Sequence, residues 1–360
     1  MAARGMQLGD VIRFGTGKAI KPGGEGRYPV YGSNGIIGYS DDFRYENGVI
    51  IGRVGAYCGS VAYCPEKFWA SDNTLVAFPV SDEFDTKFLF YLLHHTKLSA
   101  YAGGAAQPLV TQTVLKQVEV TVPQILVQQR IAGILSSYDE LVENNQQRIR
   151  ILEEMAHTLY SEWFVHLRFP GHEKLKRVDS KLGPIPQGWE AGRLDDLLIL
   201  QRGFDLPKAQ RVEGTIPIYA ASGVNGFHNE AKVKAPGVVT GRSGTIGDVL
   251  YVQEDFWPLN TALWVKEFPR SEPIYAFYVL SALELKQFNS GAAVPTLNRN
   301  DIHGLDVLVP PRSLQKQFQE IAGAMLAQIW TLMKTIENLR HTRDLLLPRL
   351  LSGQINLGTG

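Results

Sequence analysis

The sequence has few cysteines, no long apolar run and no excess of charge of either sign. Its two cysteines, Cys58 and Cys64, have five residues between them, a spacing that fits neither a disulfide framework nor a zinc site. We interpret both as reduced thiols of a cytoplasmic protein, with a lone pair of metal ligands as the alternative. The sequence contains no run of about 18 apolar residues, so it predicts no membrane span. Its first residues lack the apolar core of a signal peptide.

Positive and negative side chains balance, with 36 Lys and Arg against 36 Asp and Glu, and no region is strongly basic. A stand-alone, non-specific DNA-binding protein gains its affinity from neutralising phosphates. The balance therefore counts against that class, while local basic patches and a basic partner remain open.

Motifs that would indicate catalysis are also lacking. The eight histidines form no metal-binding pattern, and "GTGK" at 15–18 lacks the spacing of a phosphate-binding loop. No Asn-Pro-Pro-Tyr-like loop of a DNA methylase and no acidic cluster for two-metal nuclease chemistry is present. The absence of these motifs favours a recognition or scaffold role.

What the sequence does contain is a long internal repeat. "YPVYGSNGIIGY" at 28–39 returns as "IPIYAASGVNGF" at 216–227, which is 188 positions later. Nearly the same offset relates "GVIIGRVGAYCGSVAY" (48–63) to "GVVTGRSGTIGDVLY" (237–251) and "GAAQP" (104–108) to "GAAVP" (291–295). One offset held over about 100 residues predicts a duplicated domain, and the period is too long for a solenoid.

The repeated regions have short apolar runs broken by Gly, Asn and Pro, which is typical of short strands with tight turns. Residues 85–98 and 274–288 are apolar at helical spacing, so each repeat is expected to combine a β core with one helix.

Each repeat is followed by a segment with the heptad pattern of a coiled-coil seam. The first has its stripe at Ile131, Ile134, Tyr138, Leu141, Asn145, Ile149, Leu152, Met155 and Leu159, and the second at Phe318, Ile321, Met325, Ile329, Leu332, Ile336, Leu339 and Leu346. Each predicts one helix of roughly 45 to 57 Å, and the two are expected to pack as an antiparallel pair. The polar residue Asn145 either fixes the register of the seam or is slightly solvated.

The predicted fold is α+β, with two homologous, mixed, β-rich domains separated by two long helices that form an antiparallel coiled coil. The expected boundaries are a first domain (1–127), a first helix (128–168), a linker (169–188), a second domain (189–311), a second helix (312–350) and a C-terminal tail (351–360).

This organisation resembles the specificity subunit of Type I restriction-modification systems. Five stretches carry the resemblance besides the architecture: "LEEMAHTLYSEWFVHLRFPG" (152–171), "GPIPQGWE" (183–190), "LRHTRDLLLPRLLSGQI" (339–355) and the Pro-rich helix entries "VPQILVQQRIAGIL" (122–135) and "VPPRSLQKQFQEIA" (309–322). The first domain departs from the pattern, because "MQLGDVIRFG" lacks the Gly-Trp-Glu motif that precedes the second domain.

The resemblance implies two target-recognition domains that each read one half of a split DNA sequence, with helices that set the spacing and dock DNA methyltransferase (modification) subunits. It implies no catalysis and no cofactor in this chain: S-adenosylmethionine belongs to the modification subunit, and ATP and Mg to a possible ATP-dependent restriction subunit. A helix pair of the predicted length corresponds to roughly 13 to 17 base pairs.

We expect DNA contacts from polar and basic residues on the repeated turns. Base-reading candidates are Arg53, Arg242, Ser33, Asn34, Ser222 and Asn225, with support from Tyr31 and Tyr219, which are alternatively core residues; phosphate-contact candidates are Lys18, Lys21, Arg202, Lys208 and Arg211. Trp163 and Phe164 are expected to bind a partner subunit or to pack on the adjoining domain. The alternative functions are a stand-alone DNA-modifying enzyme and a two-domain scaffold that binds a non-DNA ligand.

Overall fold

The computed structural model describes residues 4–104, 108–355 and 357. Residues 105–107 of the "GAAQP" repeat and residues 356 and 358–360 of the tail therefore lie outside the described residues. The chain divides into two units, of which unit 1 comprises residues 1–144 and 335–360 and unit 2 comprises residues 145–334. Each long helix contributes one part to each unit.

The strands and short helices of unit 1 occur in an order that unit 2 largely repeats. In unit 1 they are β1 (Arg4–Gln7), α1 (Leu8–Val11), β2 (Ile12–Thr16), β3 (Tyr28–Gly32), β4 (Gly35–Ser40), β5 (Tyr45–Gly52), β6 (Val61–Ala70), β7 (Thr74–Pro79), α2 (Thr86–His95), α3 (Gln112–Lys116) and β8 (Glu119–Val122). The first long helix, α4, covers Ile125–Tyr160 and continues as a π-helical turn, Ser161–Val165.

Unit 2 adds a linker hairpin and then its own version of the same elements. They are β9 (Arg177–Val178), β10 (Ile185–Pro186), β11 (Glu190–Arg193), α5 (Leu194–Leu197), β12 (Ile199–Arg202), β13 (Ile216–Ala220), β14 (Gly223–His228), β15 (Gly237–Gly241), β16 (Val249–Val252), β17 (Trp257–Pro258), β18 (Ala262–Glu267), α6 (Pro273–Ala282), α7 (Arg299–His303) and β19 (Asp306–Val309). The second long helix, α8, covers Arg312–Leu351.

The sheets have the same topology in both units. Unit 1 has the strand order β2-β7-β5-β6-β3-β4, and unit 2 divides the corresponding strands into β12-β18-β15-β16 and β14-β13-β17. The division arises because the long strand β6 is matched by two shorter strands, β16 and β17. The end of β6 and the strand β17 both pair in parallel with the first strand of a hairpin. The duplicated domain predicted from the sequence is therefore present as a duplicated sheet.

The repeated turn of the sequence forms the β3–β4 hairpin in unit 1 and the β13–β14 hairpin in unit 2. Gly35 and Gly223 begin the second strand of each hairpin with φ angles of +90° and +100°. Side chains with a Cβ atom rarely adopt this conformation, which explains why glycine recurs at this point.

The two long helices pack as an antiparallel pair, with opposite ends together in each unit. The core of unit 1 contains Ile131 and Leu135 of α4 together with Leu347 of α8. The core of unit 2 contains Ala156 of α4 and Phe318 of α8. Asn145 is 8% exposed, so it is a buried polar residue of the helix rather than a solvated one.

A buried glutamine joins each long helix to its own domain by the same three hydrogen bonds. In unit 1 the Nε2 of Gln128 donates to the carbonyl oxygens of Glu83 (3.0 Å) and Pro123 (2.8 Å), and its Oε1 accepts from the Asp85 N–H (2.9 Å). In unit 2, Gln315 makes the corresponding bonds to Arg270 (3.0 Å), Pro310 (3.0 Å) and Glu272 (2.9 Å). These are the glutamine clamps of the two units.

Among the described residues, no helix has both the length and the apolar character needed to cross a membrane.

Candidate functional site

Three segments of unit 1 converge at one end of its sheet, and we call them the first loop cluster: residues 32–35, 52–55 and 71–74. The Ser33 hydroxyl donates to the Asn73 carbonyl oxygen at 2.7 Å, and the Ser60 hydroxyl donates to the Ser33 carbonyl oxygen at 2.6 Å. The Arg53 N–H also donates to the Asn73 carbonyl oxygen, at 2.9 Å. The hairpin turn and the Gly-Arg-x-Gly turn are thus parts of one hydrogen-bonded cluster.

The Gly-Arg-x-Gly turn is also held from the other side. The Gly55 N–H donates to the Pro108 carbonyl oxygen at 3.1 Å, and the Val110 N–H donates to the Arg53 carbonyl oxygen at 3.0 Å. The backbone of Arg53 is therefore fixed through both its N–H and its C=O. Its guanidinium group makes no hydrogen bond with the described residues, and its buried Nε–H lacks a partner among them.

Unit 2 has a second loop cluster, formed by residues 220–223, 241–244 and 259–262. The Arg242 N–H donates to the Thr261 carbonyl oxygen and the Leu297 N–H donates to the Arg242 carbonyl oxygen, both at 2.8 Å. The Gly244 N–H donates to the Pro295 carbonyl oxygen at 2.9 Å. The structure therefore places both arginines at the same point of the repeated fold.

The two guanidinium groups differ in their partners. Arg242 donates from Nη1 to the Asn260 carbonyl oxygen at 2.8 Å, and the Asn260 side-chain amide donates to the Asp205 carboxylate. Asp205 also pairs with Arg202 at 3.5 Å. The guanidinium of Arg242 is thus partly held by its own unit, whereas that of Arg53 makes no hydrogen bond with the part of the chain that the structure describes. Asp205 and Asn260 were not anticipated, because they are far from Arg242 in sequence.

The polar residues of the hairpins divide into exposed and bonded ones. Asn34, Ser222 and Asn225 are exposed, whereas Ser33 is half-buried and bonded within the first loop cluster. Arg211 holds the second hairpin, because it donates from Nη1 to the Asn225 carbonyl oxygen at 2.5 Å and from Nη2 to the Asn225 Oδ1 at 3.1 Å. The structure therefore brings Arg211 and Asn225 together on one surface.

The candidate phosphate-contact residues are mostly accessible. Lys18, Lys21 and Lys208 have exposed side chains and form no ion pair with any residue that the structure describes. Arg202 is exposed as well, but its pairing with Asp205 partly neutralises its charge. The three lysines are therefore available for phosphate, and Arg202 is less so.

Tyr31 belongs to a core cluster of unit 1 and the half-buried Tyr219 packs against a core cluster of unit 2, which favours the alternative of core residues over support for DNA contacts. The ring of Tyr31 is 9% exposed and packs edge-on against Phe68, with 5.7 Å between ring centroids. Tyr219 packs in the same way against Phe256, also at 5.7 Å. Burial raises the pKa of Tyr31 and raises the pKa of Tyr219 to about 12. Both rings stabilise the hairpins from within.

Trp163 and Phe164 lie in the core of unit 2, which favours the second of their two expected roles over binding of a partner subunit. They are 6% and 4% exposed and form part of the core of unit 2. The Phe164 ring packs against Tyr275 with 4.7 Å between centroids and against Phe318 with 5.1 Å. The alternative, packing on the adjoining domain, is the observed one.

Apolar residues elsewhere on the helices of unit 2 are exposed. Ile151, Met155 and Ile321, at 55%, 50% and 43% exposure, line a groove of about 480 Å³ between α4 and α8 that Glu154 and Glu162 also border. The sequence placed Met155 and Ile321, and also Leu141 in unit 1, on the buried seam. That placement is wrong at these three positions, because a heptad pattern does not show how wide an apolar stripe the partner helix covers.

Both cysteines are free and buried, and burial raises the pKa of each thiol. Among residues 4–104, 108–355 and 357, no group of three or more His, Cys, Asp or Glu side chains is placed to hold a metal ion.

A family model described as Type I restriction modification DNA specificity domain matches residues 5–154 and 186–339. The two matched stretches contain the two copies of the repeat, and together they cover more than half of the chain.

Two relatives are similar to this chain over most of its length. The MjaIX specificity subunit of a Type I restriction enzyme from Methanocaldococcus jannaschii is 27% identical over 300 residues, which cover 76% of this chain and 69% of that protein. A putative type I specificity subunit of Mycoplasma pneumoniae, S.MpnORF507P, is 23% identical over 337 residues, or 90% of this chain and 89% of that protein.

The fold also matches a solved structure. The crystal structure of the S subunit of a Type I restriction-modification system from M. genitalium covers 97% of this chain and 96% of its own, with a TM-score of 0.71 and 19% identity. At this identity the match shows a common fold.

Proposed function

This chain belongs to the family of Type I restriction modification DNA specificity domains and is a non-catalytic DNA-recognition subunit; we propose that each of its two units reads one half of a bipartite DNA target. The observation that supports this division is the duplicated loop cluster. Each unit presents one arginine, at an equivalent backbone position, beside the turn of an equivalent hairpin. Duplicated readers suit a target with two halves.

The differences between the two clusters support different half-sites. Arg bound in a bidentate manner is the commonest reader of guanine, and the guanidinium of Arg53, which has no hydrogen-bond partner among the described residues, suits such a contact. Arg242 retains its Nε and Nη2 groups while Nη1 is bonded to Asn260. Asn34, Ser222 and Asn225 add donors and acceptors, and Lys18, Lys21 and Lys208 add phosphate contacts that carry no sequence information.

We further propose that the helices set the spacing of the half-sites and dock DNA modification subunits. The exposed groove of Ile151, Met155 and Ile321 offers an apolar surface for such a subunit, and apolar patches of this kind mark interaction sites. S-adenosylmethionine would bind to the modification subunit, and ATP and Mg to a restriction subunit, rather than to this chain.

The proposal is tested by combining the purified chain and its modification subunit with DNA and S-adenosylmethionine, singly and together. We expect methylation of adenine at one bipartite sequence only when both proteins are present. Methyl transfer by this chain alone would instead support the stand-alone enzyme, and a complex without sequence preference would support the scaffold that binds another ligand.

A further inference from the structure

The second strand of each hairpin exposes apolar side chains at matching positions. In unit 1, Ile36 is 52% exposed and Tyr39 is 41% exposed; in unit 2, Val224 is 53% exposed and Phe227 is 52% exposed. Ile36 and Val224 are 188 positions apart in the sequence, and so are Tyr39 and Phe227. The two copies thus differ in residue type at these positions but keep an aliphatic and an aromatic side chain.

The match extends to the pairing of the strands. Ile36 pairs with Tyr31, and Val224 pairs with Tyr219, in the same register of the two hairpins. Tyr39 and Phe227 pair with the prolines that precede these tyrosines by two residues. In both hairpins a register shift lies between these two pairs, so the two apolar positions have the same place relative to the same irregularity.

Single exposed apolar residues are normal on protein surfaces and carry no meaning alone. Here an aliphatic and an aromatic position are exposed together in both copies of a diverged repeat, although neither side chain contributes to a core. Packing within the unit does not account for their apolar character, which indicates an external partner common to both units.

The position of the hairpins identifies that partner as DNA. The hairpin turn of unit 1 is part of the first loop cluster, through the bonds of Ser33 with Asn73 and Ser60. In unit 2, the guanidinium of Arg211 lies on the hairpin strand itself, bonded to Asn225, which directly follows Val224. In unit 1 the apolar side chains therefore lie on the strand that leaves the turn of the first loop cluster, and in unit 2 they lie on a strand that also carries the positive charge of Arg211.

We propose that the aliphatic–aromatic pair of each hairpin, Ile36 with Tyr39 and Val224 with Phe227, contacts the bases of its half-site and helps to determine specificity. A base pair offers an apolar group of its own, because the C5-methyl of thymine projects into the major groove and is read by apolar contact. This inference rests on the proposed division of the target between the units.

The test uses the full chain assembled with its modification subunit and the duplex target of that complex. One variant combines Ile36→Ser with Tyr39→Ser, and another combines Val224→Ser with Phe227→Ser. The matched controls are Val80→Ser in unit 1 and Val178→Ser in unit 2, which remove valines of similar exposure (46% and 41%) outside the hairpins. Affinity is measured by competition against duplexes with base-pair substitutions in one half only.

We expect each double variant to bind the intact target at least about fivefold more weakly, as a lost base contact does, and to lose discrimination only in its own half. Ile36→Val with Tyr39→Phe, which gives unit 1 the residues of unit 2, should keep the affinity within about fourfold, since one methylene contributes only about 0.8 kcal/mol. The controls should bind as the unchanged chain does.

Duplexes with deoxyuridine in place of thymine separate an apolar base contact from a general effect on folding. The unchanged complex should bind them more weakly when the methyl is removed in a half-site, and the serine variant of the corresponding unit should not respond to that removal. Unchanged affinity and discrimination in both serine variants would overturn the inference. So would failure of the variants to bind the modification subunit, because the hairpins would then be protein-docking surfaces.

These outcomes are distinct from failure of the proposed function. If the division between units were wrong, the unchanged complex would show no separate dependence on two half-sites. If only the hairpin inference were wrong, that dependence would remain and the serine variants would share it.

Discussion

At the scale of single residues, the two arginines of the Gly-Arg-x-Gly turns occupy equivalent backbone positions in the two copies of the repeat but differ in their side-chain hydrogen bonds. The turns end in Gly55 and Gly244, with φ angles of +76° and +95°, so the chain reverses in the same way after each arginine. The backbone thus fixes the Cα position of each arginine. Asn260 and Asp205 additionally restrict the position of the Arg242 guanidinium.

We predict that Arg53→Ala and Arg242→Ala weaken recognition of different half-sites. A bidentate contact with a base contributes roughly 1–3 kcal/mol of discrimination, so each variant should lose about 5- to 150-fold in preference for its own half. Competition titration with duplexes altered in one half measures this, with Arg177→Ala as a control because Arg177 is exposed in the linker hairpin. An equal loss in both halves would contradict the division of labour.

A second prediction at this scale concerns His303, whose Nε2 accepts the Leu200 N–H at 3.0 Å and is therefore unprotonated in the folded chain. Burial lowers the pKa of His303 and outweighs the opposing effect of Asp195, and Arg299 and Arg193 lower the pKa slightly further. The unfolded chain therefore takes up this proton first, at about pH 6.5. The stabilising contribution is complete above that pH and is lost as the pH falls through the lower, folded value.

Thermal unfolding at pH 7.5 and 5.5 measures the effect. His303→Gln retains an acceptor that does not titrate, so the drop in melting temperature between the two pH values should be smaller than in the unchanged chain. An identical drop in both proteins would show that His303 does not contribute to the acid sensitivity.

The positions of the two arginines were predictable from the sequence, but their side-chain partners were not. Repetition located Arg53 and Arg242, because both copies keep Gly-Arg-x-Gly at one offset. It did not reveal that Asp205 acts on Arg242 through Asn260, since that requires segments distant in the chain to meet. Nor did helical spacing reveal what covers Trp163 and Phe164, because an apolar stripe is equally compatible with an internal and an external partner.

At the scale of elements, the glutamine clamps join each long helix to its domain. Gln128 and Gln315 are 1% and 0% exposed, and each satisfies three backbone groups. Their shared offset of 187 positions within "VPQILVQ" and "VPPRSLQ" was visible in the sequence. The repetition alone does not predict a buried clamp, because a glutamine near the start of a helix is most often a solvated surface residue.

We predict that Gln128→Leu and Gln315→Leu each lower the free energy of unfolding by about 3 kcal/mol or more. The substitutions leave buried backbone groups without partners, and each such group costs about 1–3 kcal/mol. Urea unfolding measures the loss, and Gln129→Leu and Gln317→Leu are neighbouring, exposed controls that should unfold nearly as the unchanged chain does. Similar values for clamp and control variants would contradict this role.

The elements themselves were largely predictable. The helical patches at 85–98 and 274–288 correspond to α2 and α6 with a short 3-10 turn after each, because apolar spacing is a local signal. The division of one long strand into β16 and β17 was not predictable, since it depends on pairing with the hairpin.

At the scale of the whole molecule, we propose that the chain is a pair of readers that depends on other subunits for chemistry. Each unit takes part of both long helices into its core, so a domain and its helical segments form a single packed body. An apolar groove that remains exposed on such a body is a candidate surface for the partner that modifies the DNA.

We predict that Met155→Lys with Ile321→Lys prevents binding of the modification subunit without unfolding unit 2, because both side chains are exposed and a charge in an apolar interface is unfavourable. Size-exclusion chromatography of the mixed subunits measures assembly, and thermal unfolding of the chain alone verifies the fold. The control is Met333→Lys, on an exposed position of α8 outside the groove. Normal assembly of the double variant would exclude the groove as the docking surface.

The central claim, one reader for each half of a split target, is tested most directly by mapping methylated adenines in cells that carry the unchanged gene or the Arg53→Ala or Arg242→Ala variant. The account predicts a bipartite methylated sequence with the unchanged chain, relaxation of one half with Arg53→Ala, and relaxation of the other half with Arg242→Ala. A continuous methylated sequence, or relaxation of the same half by both variants, would contradict it.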